Sequence, residues 1–142
     1  MKSTSLIAAA GLTLLSCLMA PDASAASCSG RGCNEKDPVA TGCSSGSTVA
    51  DSKPMYPSGR AELRWSPTCR TNWVRITDYP GGDSALRITV WAGNDHVGFV
   101  APGTPGTHWG NMVFAPGCAH GEVLYVAKDG SHQSERLASS DC

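Results

Sequence analysis

The chain has 142 residues, 11 Lys+Arg against 12 Asp+Glu, and a net charge of −1. A charge so close to zero gives no basic footprint for nucleic acid or anionic lipid, so neither is an expected partner. Seven of its cations are arginines, a residue type suited to fixed, hydrogen-bonded pairs.

Lys2, the apolar run Leu6 to Ala20 and the small-x-small motif Ala23-Ser24-Ala25 read as a secretory signal, residues 1–25. The run is shorter than the ~20 residues a membrane-spanning helix needs, so no membrane span is expected. A rival reading takes Leu14-Leu15-Ser16-Cys17 as a lipoprotein box and anchors the protein through acylated Cys17. Cleavage before Ala26 predicts a secreted, extracellular protein; the 142 residues less a 25-residue leader leave 117, one folded unit. Within it, residues 26–58 form a Cys/Gly/Ser-rich arm and residues 59–142 a β domain.

Export places Cys28, Cys33, Cys43, Cys69, Cys118 and Cys142 in an oxidising compartment, where six cysteines imply three disulfides and fifteen connectivities. The pairing favoured is Cys28 with Cys33, Cys43 with Cys69, and Cys118 with Cys142. Zinc is the competing use, but the arm lacks the close paired spacing of a zinc ribbon. No cofactor or metal is expected. Asn34, Glu35 and Asp37 offer hard oxygens for calcium, although turn formation explains them without an ion and they depart from the EF-hand pattern.

From the end of the arm onward, short β-type runs alternate with turn clusters, the first of them within residues 26–58. Thr48 to Ser52 is a first short strand. In Arg60 to Ser66, period two puts Ala61, Leu63 and Trp65 inside and Arg60, Glu62 and Arg64 outside. Asn72 to Asp78 follows, with Val74 and Ile76 on one face, Trp73, Arg75 and Thr77 on the other, and a turn at Tyr79 to Asp83. Leu86, Ile88 and Val90 alternate with Arg87, Thr89 and Trp91. After Gly93-Asn94-Asp95 come strands at Val97 to Ala101, Trp109 to Ala115 and Glu122 to Lys128, then a polar tail pinned by Cys142. The expected fold is all-β: a small disulfide-stabilised antiparallel sandwich or barrel with an irregular Cys-rich N-terminal arm.

Catalytic signatures are sparse, and no catalytic residue is assigned. There is no Gly-x-Ser-x-Gly elbow and no phosphate loop. His96, His108, His120 and His132 recur twelve residues apart, about one hairpin, so they could gather at one end of a sheet for metal binding or acid–base work. Hairpin periodicity alone also puts polar residues at strand ends. Asp78, Asp83 and Asp95 fall in turns, where aspartate has a structural use. The candidate binding residues are Trp73, Arg75, Arg87 and Trp91, which alternation sets on the faces opposite the aliphatic ones. Such a Trp/Arg surface suits sugar stacking or a protein anchor; the structural alternative is indoles packed under arginine stems.

The cysteine arm, with Lys36-Asp37-Pro38, Leu63-Arg64, Ser66-Pro67 and Cys69 before Asn72-Trp73, resembles the YjfA-like family of secreted bacterial domains of unknown function. The resemblance runs from about Cys28 to Asp78. It implies export, disulfides and a compact β domain, and carries four cysteines that match Cys28, Cys33, Cys43 and Cys69. Cys118 and Cys142 stand as an addition, which favours their pairing together. The expected function is a secreted, non-catalytic binding or cell-envelope-associated module, monomeric, with a cell-wall glycan or an extracellular protein as partner. The alternatives are a small hydrolase using loop His and Asp residues, and a protease inhibitor presenting Tyr79 to Asp83 or Ala101 to Gly106.

Overall fold

The computed structural model describes residues 25–142; the expected leader up to Ser24, including Cys17, lies outside them. Nine strands build two antiparallel sheets that face each other without closing into a barrel. The first sheet runs β1 (Thr48–Pro54), β2 (Arg60–Ser66), β3 (Thr71–Tyr79), β6 (Gly106–Trp109), with β7 (Val113–Phe114) also paired to β3. The second runs β5 (Asp95–Ala101), β4 (Leu86–Ala92), β8 (His120–Val126), β9 (His132–Ala138).

Alternation explains the packing. Ala61 and Leu63 of β2, Val74 and Ile76 of β3, Leu86, Ile88 and Val90 of β4, and Val123 of β8 meet in one core cluster between the sheets. Gly121 of β8 points into the same layer. A Cβ there would lie 2.5 Å from Val74 Cγ2, so the missing side chain lets the sheets approach at that point.

Four expectations need correction. Trp65, expected inside with Leu63, is only half-buried because it stands at the end of β2, beside a hollow lined by Thr48, Asn72, Pro116 and Ser139. The run Trp109 to Ala115 is two strands, separated by Gly110 to Met112, because it leaves one pairing with β3 and rejoins β3 further along. A register shift between Ile76 and Tyr79, with Asp78 at φ +52°, slips the period by one and turns Tyr79 into the core. Finally, the polar tail contains β9, an edge strand in which Leu137 is the buried residue.

The cysteines form Cys28–Cys33, Cys43–Cys69 and Cys118–Cys142 bridges. The second clamps the arm to the β2–β3 turn; the third ties the chain end to the start of β8. Among the described residues no helix is long and apolar enough to cross a membrane.

Candidate functional site

The two outward sheet faces are treated in opposite ways, and that difference locates the candidate site. On the first sheet, register sets Glu62 opposite Arg75 and Arg64 opposite Trp73. The Glu62 carboxylate accepts hydrogen bonds from Arg75 Nε at 3.0 Å and Nη2 at 2.7 Å, and from Arg64 Nη1 at 3.3 Å. Arg64 Nη2 donates to the carbonyl and hydroxyl oxygens of Ser47, each at 2.9 Å. Burial, then the neighbouring Arg75 charge, pulls the Arg64 guanidinium below its ordinary pKa despite Glu62. Glu62 and Arg64, expected in solvent, are instead mostly covered, because the arm lies over this face.

The same cover buries Trp73. Its indole is 2% exposed and packs with Cys33, Cys43, Cys69 and Met112 in a second apolar cluster under the arm. The arm is fixed at its far side by Asp37, whose Oδ2 accepts the indole N–H of Trp109 at 3.1 Å while Oδ1 accepts the backbone N–H groups of Val39 and Ala40. Asn34 Oδ1 accepts the Phe114 N–H at 2.6 Å. Of the residues considered for calcium, Asn34 and Asp37 thus already turn their oxygens to protein donors. Trp73 is therefore buried beneath the arm, while Arg75, still partly exposed, is held against Glu62.

The outward face of the second sheet carries no such cover among the described residues. Its strand rows follow from register: His96, Trp91, His120 and Ala138; Gly98, Thr89, Glu122 and Arg136; Val100, Arg87, Leu124 and Ser134. In the first row the Trp91 ring lies between two nearly parallel imidazoles, His96 at 6.1 Å and 7°, His120 at 5.2 Å and 16°. The spacing matches the cross-strand distance, so the imidazoles flank the indole from the two neighbouring strands. A ligand stacking on Trp91, the use read from the sequence, would have to share the ring with these imidazoles.

In the middle row Glu122 is held by Arg136 Nε at 2.8 Å. In the third, Arg87 stands between Val100 and Leu124, which are 66% and 42% exposed. This end of the sheet opens into a groove of about 670 Å³, bounded by Ser84, Arg87, Val100, Leu124, His132 and Ser134. Arg87 and Trp91 thus share one face, with Trp73 and Arg75 on the opposite side of the sandwich.

The histidine series splits. His96 and His120 meet across Trp91, His132 enters the groove, and His108 sits on β6 of the other sheet, edge-on to Tyr79 with Nε2 2.7 Å from the Thr104 carbonyl. Of the turn carboxylates, Asp95 is ion-paired with Arg31. The two loops considered for protease inhibition bond to each other, Gly82 N–H donating to the Gly103 carbonyl at 3.0 Å. His120 was missed as a partner of Trp91, although the β4–β5 half of the stack was legible: a two-residue loop at Gly93-Asn94 pairs Trp91 with His96.

Among known proteins, a family model described as "Protein of unknown function (DUF2690)" matches residues 31–122. Neither the curated proteins nor the solved structures gave a match.

Proposed function

Since the chain belongs to this family of unknown function, which lends it no activity, we propose from its own faces that it is an exported, non-catalytic binding module of the cell envelope that engages its partner through the outward face of the four-stranded sheet. The observation that carries this is the asymmetry of the sandwich. The arm and two bridges seal one outward face down to its tryptophan, whereas the other keeps Val100, Leu124 and Arg87 in solvent. Exposed aliphatic side chains beside an arginine cost solubility and gain nothing in folding, which favours a contact surface. Three bridges suit a rigid module outside the cell.

Retention of the oxidised chain from Ala26 onward on its own envelope fraction, and on purified extracellular proteins and wall glycans, tests the reading. Retention should drop at least tenfold in a Trp91→Ala, Leu124→Ser double variant and stay unchanged in Arg75→Met, on the covered face. Equal loss in both, or retention indifferent to both, would count against it.

A further inference from the structure

We propose that the groove at the Arg87 end of the open face binds the free carboxylate end of a short peptide with small aliphatic side chains. This deepens the binding reading above and rests on it. The first support is the state of the arginines. Six of the seven are engaged: Arg31 with Asp95, Arg60 with the Ser52 hydroxyl, Arg64 and Arg75 with Glu62, Arg136 with Glu122, and Arg70 over the Phe114 ring. Arg87 alone has no ion pair, side-chain hydrogen bond or ring contact among the described residues; Arg70 has only its ring. The nearest carboxylate in register, Glu122 on the neighbouring strand, is already taken by Arg136 and by the Ser134 hydroxyl, so it does not neutralise the guanidinium.

The second support is what surrounds that charge. Val100 and Leu124 flank Arg87 on the adjacent strands and offer apolar walls on both sides, while His132, Ser84 and Ser134 add polar groups at the rim. A guanidinium presents a planar fork that matches a carboxylate bidentately. About 670 Å³ lies in the range of small-ligand sites and is room for a few residues. A neutral sugar has no use for the guanidinium and would find the only nearby indole sandwiched between imidazoles. A phosphate-rich polymer would meet one arginine on a chain of net charge −1.

An ¹⁵N NMR titration of the chain from Ala26 onward with N-acetyl-leucyl-alanine, and separately with its C-terminal amide, tests the proposal. The free acid should shift the resonances of Arg87, Val100, Leu124 and Ser134. The amide should bind at least tenfold more weakly, and Arg87→Met should lose binding by a similar factor while Arg87→Lys regains part of it. Equal binding of acid and amide, or full binding by Arg87→Met, overturns the proposal. So does a concentration-dependent dimer abolished by Arg87→Met, which would assign the face to a second copy of the chain. Envelope retention that depends on Trp91 and Leu124 but ignores Arg87 removes the peptide proposal alone. Carboxylate-dependent peptide binding without envelope retention removes the envelope reading alone.

Discussion

Glu62 shows how much one residue on the covered face decides. Its carboxylate serves two guanidiniums, and Arg64, with 12% of its side chain exposed, would keep only Ser47 and little water once that charge is gone. Glu62→Gln should therefore cost about 3 kcal/mol in urea unfolding, the scale of a broken buried pair. Arg75→Met, whose side chain is 37% exposed, should cost no more than about 1 kcal/mol because Arg64 still pairs with Glu62. Tyr79 runs the other way. Its hydroxyl is buried without a hydrogen-bond partner among the described residues, and burial, with the charge of Asp83 second, pushes the phenol above its usual value. A folded-state value raised above the unfolded one means this stability is fully present below about pH 10 and lost as pH rises through the folded value. Tyr79→Phe should leave stability at pH 7 unchanged or raise it by up to about 1 kcal/mol, and should flatten the alkaline loss in unfolding curves taken at pH 9 to 11. Tyr125, also raised chiefly by burial, keeps part of that alkaline limb in the variant. Gly121→Ala should cost about 1–3 kcal/mol, since the new methyl meets Val74.

At the scale of elements, the Cys43–Cys69 bridge separates arm docking from sheet folding. Replacing both cysteines by serine releases a loop closure over a sequence separation of 26 and should cost about 3.5 kcal/mol. Trp73 emission should shift to the red as the arm lifts. The matching Cys118, Cys142 double variant opens a separation of 24 at similar cost and should leave that emission unmoved. The strands that sequence reading located best, β2 and β4, alternate buried apolar residues with charged, polar or aromatic ones, which period two reports directly. β9 escaped because only Leu137 of its inward positions is apolar, so its membership rests on backbone pairing to β8 that no side-chain pattern encodes. The break between β6 and β7 and the slip at Asp78 escaped for the same reason: both are events of register. The covered face was hidden because alternation tells in from out for a sheet of two sides, whereas burial of Trp73 and Glu62 depends on a Ser- and Gly-rich arm whose path is set by cysteines.

For the whole molecule, two sheets of similar size differ in what lies over them. The arm docks on Trp73 and Trp109 and, through Ser47, on Arg64, so the tryptophans that seemed one surface in the sequence are divided between structure and solvent. What remains open is a face with an imidazole-flanked Trp91 at one end and, between aliphatic walls at the other, an Arg87 unpaired among the described residues. Under the proposed binding role, near-neutral charge suits such a face to shape and a single anionic group instead of a polyanion. Hydrogen–deuterium exchange of the oxidised chain, alone and bound to its envelope fraction, addresses that claim most directly. Binding through the open face should add protection confined to β4, β5, β8 and β9, with the arm and β2–β3 unchanged. Protection centred on the arm and the β2–β3 turn, with the four-stranded sheet unaffected, would contradict it.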